Sequence, residues 1–192
     1  MAGSDALDSS GDGGPATKAG LEQPCYIAID GSGNLFIGRN AKHYPIRRVD
    51  AQTGIITSLD LSKLTGHKLK YVRVINDPKG NLYAVEPFRI FRLDLAPKTL
   101  SLIAGSKEGF GGDGGPATKA RFRSINDLAF DSQGNLFIAD SLNNRVRRID
   151  KRTGIVTTVA GNGLPLHRGG FDKMPIQLLP RPVGSSGIRF ER

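Results

Sequence analysis

The sequence contains a nine-residue string, Gly-Asp-Gly-Gly-Pro-Ala-Thr-Lys-Ala, that occurs unchanged at positions 11–19 and again at positions 112–120. The residues that follow the two copies also align, with a single residue inserted near Asn143. A more divergent unit begins between them at Tyr71 and lacks the string. Self-similarity at a fixed period indicates an array of structural units, so the fold must be one that is built by repetition.

Each unit holds four short apolar runs that are separated by turn-forming residues. In the first unit the runs are Tyr26–Ile29, Leu35–Ile37, Ile46–Val49 and Ile55–Leu59. Their content of Ile, Val and Phe favours β-strands, and the Asp and Gly residues between them favour tight hairpins. The equivalent glycines are Gly33, Gly80 and Gly134. A period of about 50 residues with four strands per unit predicts the blades of a β-propeller.

Several strings in the first and third units carry a family pattern. They are Asp30 with Gly33–Ile37, Ile46–Asp50 and Thr53–Thr57 in the first unit, and residues 131–161 in the third. These strings resemble the NHL-repeat family, and the repeated string is similar to the linker between blades in its bacterial-type subgroup. The resemblance implies a closed ring of about six blades. We therefore predict an all-β fold, a β-propeller section of about three four-stranded NHL-type blades from such a ring.

The repeat also predicts how the chain is divided. We expect the end of a preceding blade and an inter-blade loop at 1–23, blade 1 at 24–64, a divergent blade 2 at 65–110, an inter-blade loop and blade 3 at 111–162, and a further loop with the start of another blade at 163–192. The innermost strands are predicted near Tyr26–Ile29, Val72–Ile75 and Leu128–Phe130.

Composition narrows the classes of function. The 25 Gly and 11 Pro favour many short elements and turns. The 27 Lys and Arg outweigh 18 Asp and Glu, and the net charge of +9 admits anionic partners such as RNA, acidic protein surfaces or lipid headgroups. Cys25 stands alone, which excludes an internal disulfide. No apolar run approaches about 18 residues, so we expect no membrane span. The sequence does not indicate a cellular compartment.

The candidate binding surface follows from the blade topology. In a propeller, the connections between blades and the loops between second and third strands emerge on the same face. Binding groups concentrate on loops held by a rigid scaffold, although solvated loops also expose charge without binding anything. The candidate interaction residues are Arg39, Lys42, His43, Arg89, Lys107, Lys119, Arg121, Arg123, Arg145 and His167.

The adjacent arginines Arg47-Arg48 and Arg147-Arg148 raise the possibility of a nucleic-acid surface. However, Arg48, Arg92 and Arg148 occupy equivalent positions, in step with Asp50, Asp94 and Asp150 or with Asp30, Asp77 and Asp131. A residue that recurs at the same position in every unit has a structural role within that unit. A guanidinium can pair with a carboxylate through two hydrogen bonds. We therefore predict structural Arg–Asp pairs.

The sequence predicts no catalytic residue, no metal site and no cofactor. The histidines are His43, His67 and His167, of which none is repeat-equivalent and none lies on an innermost strand. The repeated string offers a single carboxylate, Asp12 or Asp113, which is too few for a calcium loop.

The innermost strands place Tyr26, Arg73 and Asp127 at one equivalent position, with Asn76 and Asn126 nearby. Lactonase-like and streptogramin-lyase-like propellers gather acidic and amide side chains at the axis. One carboxylate and one arginine do not make that constellation, so an enzyme of this kind is kept only as a third hypothesis.

The first hypothesis is a non-catalytic NHL-repeat module that acts as a scaffold and binds another macromolecule, above all a protein, through the loop-rich face. The second is an RNA-binding NHL propeller, which the net charge of +9 favours. The dependence of affinity on salt concentration distinguishes the two hypotheses, because binding through phosphate contacts weakens steeply as ionic strength rises.

The last expectation concerns ring closure. A blade buries its faces against two neighbours, so three blades leave two open flanks, with Ile37, Val49, Phe137 and Ile149 expected near them. We expect the missing blades to come from a longer chain or from self-association with a second copy, and otherwise a tendency to aggregate.

Overall fold

The structure is a computed structural model that describes residues 10–39, 45–65, 69, 71–96 and 99–164. Blade 1 comprises β1 (Tyr26–Ile29), β2 (Leu35–Gly38), β3 (Ile46–Val49) and β4 (Ile56–Leu59). Blade 2 comprises β5 (Arg73–Asn76), β6 (Leu82–Val85), β7 (Ile90–Asp94) and β8 (Thr99–Ala104). Blade 3 comprises β9 (Ile125–Phe130), β10 (Leu136–Asp140), β11 (Arg145–Ile149) and β12 (Val156–Ala160). Short helical segments are α1 (Leu61–Thr65) and the 3-10 turns Ala16–Lys18, Ala117–Lys119 and Ser141–Asn143.

Each blade is an antiparallel meander in which strands pair in chain order. The prediction of three four-stranded units is therefore confirmed. β1 and β3 coincide with the predicted strands, β2 and β4 differ by one residue at one end, and β5 is shifted by one residue at both ends. β9 begins at Ile125 rather than at Leu128, because Ile125 pairs with Asp140 beyond a register shift at which Asn126 of β9 is left without a partner residue.

The blades stack through two apolar cores. Ala28, Phe36 and Ile46 of blade 1 are buried with Val74 and Leu82 of blade 2. The second core joins Val85 and Ile90 of blade 2 to Ile138 and Val156 of blade 3, with Phe122 between them. Burial of apolar side chains between blades, rather than within one blade, makes each blade dependent on its neighbours for stability.

The repeated segments, residues 11–19 and 112–120, lie along the outermost strand of the blade that follows each of them. The Gly13 N–H donates to the Ile56 carbonyl at 2.8 Å, and the Ile56 N–H donates to the Gly14 carbonyl at 3.0 Å. In blade 3 the Gly114 N–H and the Val156 carbonyl are likewise 2.8 Å apart. The segment is thus more than the glycine-rich turn that the sequence predicted, since it covers part of the edge of β4 or β12.

The aspartate of each repeated segment pairs with a fully buried arginine, a role that the sequence analysis missed. Arg47 lies 2.9 Å from Asp12, and Arg147 lies 2.6 Å from Asp113. Both arginines are 0% exposed. In blade 2, which lacks the segment, the same position of the strand pairing holds Phe91. The buried arginine and the repeated segment therefore occur together in two blades and are both absent from the third.

The predicted structural pairing of the second arginine is confirmed in every blade. The guanidinium nitrogens of Arg48 and Arg148 lie 3.0 Å from Asp50 and Asp150, and Arg92 lies 3.2 Å from Asp94. Hydrogen bonds from Thr53 lower the pKa of Asp50, and those from Thr153 lower the pKa of Asp150. These carboxylates therefore stay ionised and hold the hairpin between third and fourth strands.

The apolar residues expected near the two flanks differ in exposure. Ile149 is 6% exposed and belongs to the core between blades 2 and 3. Ile37 pairs with Ile27 in the sheet but is only 5% exposed, beside Leu21 and Pro24. Ile27 is 69% exposed, whereas Val74, at the equivalent position of blade 2, is 1% exposed. Blade 1 covers Val74, and no described residue covers Ile27 to the same extent.

Candidate interaction face

The loops between second and third strands lie beside the connections that enter the next blade. The Leu142 N–H donates to the Arg123 carbonyl at 3.0 Å, and the Ile125 N–H donates to the Pro87 carbonyl at 2.7 Å. The antiparallel meander puts the other two hairpins of each blade at the opposite end of the strands. We call these two ends the loop-rich face and the hairpin face.

Two of the predicted interaction residues are engaged in ion pairs away from blade 3. Arg39 pairs with Glu22. Arg89 pairs with the buried carboxylate of Glu86 at 2.6 Å, and its guanidinium lies over the rings of Phe88 and Phe91. Lys42, His43 and His167 lie outside the described residues.

The other predicted residues gather around the connection between blades 2 and 3. Lys119 is exposed at the end of its 3-10 turn, where its carbonyl accepts a hydrogen bond from Ser106. Lys107 and Arg121 are also exposed, and in the described part of the chain no carboxylate lies within ion-pair distance of them. Arg123 lies 3.3 Å from Glu108, with both side chains more than half exposed. Pairs this exposed contribute little stability, so Arg123 stays available to a partner.

Arg145 stacks on an aromatic ring that the sequence analysis did not single out. Its guanidinium lies 3.9 Å from the ring centroid of Phe110, and Arg147 approaches the same ring at 5.0 Å. Arg145 also donates to the carbonyls of Asn143 and Asn162 at 2.9 and 2.8 Å. Phe110 nevertheless remains 39% exposed, so one part of the ring is stacked and another faces solvent.

Leu142, whose backbone N–H donates to the Arg123 carbonyl, is 60% exposed. It is the central residue of the turn Ser141–Asn143, whose Asn143 side chain donates to the Gly109 carbonyl at 2.9 Å. We call Lys107, Phe110, Arg121, Arg123, Leu142 and Arg145 the blade 3 patch. The sequence offered one signal for its apolar part, because Leu142 occupies a polar turn where packing does not require a leucine.

The axial residues use their polar groups within the fold. The Arg73 guanidinium lies 5.5 Å from the centroid of the Tyr26 ring and donates to the carbonyls of Ile125 and Asn126. Burial lowers the pKa of Arg73. Arg73 therefore ties the innermost strands of the three blades together.

No group of three or more His, Cys, Asp or Glu side chains is placed to hold a metal ion within the described ranges. No helix in that part of the chain is long and apolar enough to cross a membrane.

Three antiparallel blades arranged around adjacent innermost strands define this chain as a section of a β-propeller. No protein-family model matches the chain. It is similar to Teneurin-m of Drosophila melanogaster, at 29% identity over 179 residues that cover 85% of this chain and 6% of Teneurin-m.

Solved structures with the same fold are larger than this chain. An auxiliary nutrient binding protein from Bacteroides ovatus aligns with a TM-score of 0.56 and 19% identity, over 76% of this chain and 39% of that protein. A protein of unknown function from Bacteroides thetaiotaomicron aligns with a TM-score of 0.54 and 19% identity, over 72% of this chain and 36% of that protein. At these identities the likeness establishes the fold alone, and the chain spans less than half the length of either protein.

Proposed function

We propose that this chain is an NHL-type propeller section that acts as an interaction scaffold and binds an acidic segment of another protein through the blade 3 patch. The observation that supports this proposal is the placing of two exposed apolar side chains, Phe110 and Leu142, among four cationic ones. Aromatic and arginine side chains supply most of the binding energy in protein interfaces, and exposed cations select acidic partners.

The scaffold suits this role because the patch is held by backbone contacts from several segments. The Glu108 and Phe122 segments pair as a bridge, and so do those of Gly111 and Arg121. A surface fixed in this way loses little conformational freedom when a partner binds, which favours affinity.

An RNA partner is the second candidate, favoured by the net charge of +9. Phosphate contacts would be distributed over many cations and would weaken steeply with salt. The exposed Leu142 does not suit phosphate recognition, so the protein partner is preferred.

Quantitative affinity capture from cell extract tests the proposal, with the Arg121→Glu and Leu142→Glu variants compared with Arg152→Glu. Arg152 is an exposed cation on the hairpin face, so Arg152→Glu matches the charge change of Arg121→Glu at a different place. We expect a protein that is retained by the unmodified chain and by Arg152→Glu, and that is about tenfold depleted with either patch variant.

Capture that is abolished by ribonuclease and by moderate salt would favour RNA instead. Equal capture by the unmodified chain and both patch variants would contradict the proposal.

A further inference from the structure

A groove runs between blades 2 and 3 on the hairpin face. Its wall on blade 2 includes Tyr83 and Leu102, and its wall on blade 3 includes Phe130 and Ile149. Pro116, in the repeated segment, closes the outer end. The groove has a volume of about 550 Å³, which lies within the range of about 300–1,000 Å³ that is typical of small-molecule sites.

The groove exists because the two blade junctions are built differently. Between blades 1 and 2 the hairpins meet directly, since a Cβ on Gly80 would lie 2.3 Å from the backbone nitrogen of Gly31. The atoms nearest to the equivalent Cβ of Gly134 belong to Lys151 of the same blade. At this second junction the hairpin of blade 3 therefore makes no such approach to blade 2.

The repeated segment separates the outer strands at the second junction. The Gly105 N–H, directly after β8, donates to the Ala117 carbonyl at 2.9 Å, and the Ala117 N–H donates to the Gly154 carbonyl at 2.9 Å. The segment thus bonds to both blades at once and lies between them. It separates β8 from the β11–β12 hairpin and forms one wall of the groove.

The inner wall of the groove is aromatic. The rings of Tyr83 and Phe130 have centroids 5.1 Å apart and are tilted by 41°. Leu102 is 39% exposed towards solvent. This arrangement offers apolar and ring surfaces on which a flat hydrophobic group can pack.

Three carboxylates in the described part of the chain border the groove: Asp150 pairs with Arg148, and Asp77 and Asp131 accept hydrogen bonds within their own turns. Asp77 accepts hydrogen bonds from the backbone of Lys79 and Asn81 at 2.9 Å each, and from the Asn81 side chain at 2.7 Å. Asp131 accepts from the backbone of Gln133 at 3.0 Å and from the backbone and side chain of Asn135 at 2.8 and 2.7 Å. The hydrogen bonds from Asn135 lower the pKa of Asp131.

Of the three cations that border the groove, Arg92 pairs with Asp94, whereas Lys79 and Lys151 have no ion-pair partner among the described residues. Lys79 and Lys151 both border it and are exposed. Within the described ranges, no carboxylate lies within ion-pair distance of either ammonium group. An anion that enters the groove therefore meets two ammonium groups that lack an ion-pair partner, whereas Asp77 and Asp131 keep their negative charges and already accept hydrogen bonds from amide donors.

We propose that this groove binds a small aromatic carboxylate, with its ring packed against Tyr83 and Phe130 and its carboxylate paired with Lys79 or Lys151. The ring and the charge are both required, because the apolar wall gives affinity and the lysines give selectivity for an anion. This site is separate from the blade 3 patch, which lies on the loop-rich face.

Isothermal titration calorimetry with 2-naphthoate, together with mapping of amide NMR shifts, tests the proposal. We expect saturable binding with shifts at the amides of Lys79, Thr118, Gln133 and Lys151. The neutral analogue 2-naphthamide should bind about tenfold more weakly, because it cannot form a charge-assisted hydrogen bond with a lysine.

Two variants separate the groove from general effects of charge. Lys79→Glu/Lys151→Glu should weaken the binding of 2-naphthoate by at least about tenfold, and Leu102→Glu should do the same by placing a negative charge on the wall. Lys18→Glu/Lys63→Glu makes the same charge change outside the groove and outside the blade 3 patch, and should leave binding unchanged. All of these side chains are exposed, so each variant is expected to fold.

Three results would overturn the proposal. They are no binding of 2-naphthoate up to about 1 mM, equal affinity for 2-naphthamide, and shifts centred on Ile27 and Ile29 of the open flank in place of the groove.

Discussion

At the scale of single residues, the two buried arginines show how equivalent sites can differ in the number of charges that support them. Arg147 pairs with Asp113 and also lies 3.4 Å from the buried carboxylate of Asp140. Arg47 pairs with Asp12 and otherwise donates to the carbonyls of Ser10 and Gly20, at 3.0 Å each. Among the described residues, Arg47 thus has one carboxylate partner where Arg147 has two.

Removal of the aspartate that pairs with the buried arginine should therefore lower the free energy of unfolding more in blade 1 than in blade 3. We expect Asp12→Ala to lower the free energy of unfolding by about 3 kcal/mol, because it leaves a buried guanidinium without a counter-charge. Asp113→Ala should cost about 1 kcal/mol, since Asp140 still compensates Arg147. Unfolding in urea measures both values. Arg47→Met in the Asp12→Ala background should recover most of the loss, and equal losses in the two blades would contradict this account.

At the scale of elements, the connection that leaves blade 2 is fixed by close backbone contact. Gly105 follows β8 with φ of +90°, and a Cβ there would lie 2.0 Å from the Phe88 carbonyl oxygen. Gly114, in the repeated segment, has φ of +77° but no atom within 4 Å of such a Cβ. The two glycines thus share a conformation that disfavours other residues, and only Gly105 also lacks space.

Alanine substitution should separate these two contributions. Gly114→Ala should lower the free energy of unfolding by about 1 kcal/mol, which is the cost of the left-handed conformation alone. Gly105→Ala should cost about 3 kcal/mol, because the backbone must also move to accommodate the methyl group. Chemical denaturation of the two variants side by side gives the comparison. A Gly114→Ala loss as large as that of Gly105→Ala would show that the close contact is relieved at little cost.

At the scale of the whole molecule, the inner strand of blade 1 presents an apolar surface that a further blade would cover. Ile27 and Ile29 are 69% and 51% exposed. At the other flank Phe137 is half-buried, whereas its equivalent in blade 1, Phe36, is 0% exposed. Repeat arrays are stable when both terminal faces are covered, so these flanks favour association.

We expect this 192-residue chain to associate at micromolar concentration, through Ile27 and Ile29. Ile27→Lys should shift the chain towards the monomer, because it places a charge in the apolar surface. Thr57→Lys introduces the same charge on an exposed position of the outermost strand β4 and should leave association unchanged. Static light scattering over a concentration series distinguishes these outcomes. A stable, cooperatively unfolding monomer would show that three blades suffice and that flank closure is unnecessary.

What the sequence alone determined is local. The four strands of each blade, the Asp-Gly turns and the Arg48–Asp50 type of pair all depend on residues near one another in the chain, and repetition shows each of them more than once. Several cations of the candidate face followed from the same topology, but nothing in the sequence distinguishes Arg89, which pairs with Glu86, from the exposed Arg121. Charge pairing between separate segments has no local signal.

The tertiary structure decided everything that depends on the separation between blades. Arg47 and Arg48 look alike in the sequence, yet Arg47 is 0% exposed and Arg48 is half-buried, because neighbouring side chains of a strand point to opposite faces of a sheet. The exposure of Leu142 and Phe110, and the groove beside Tyr83, arise where the repeated segment lies between two blades. The repeated segment has the same sequence in both copies, but the surfaces around each copy depend on the blades packed against it.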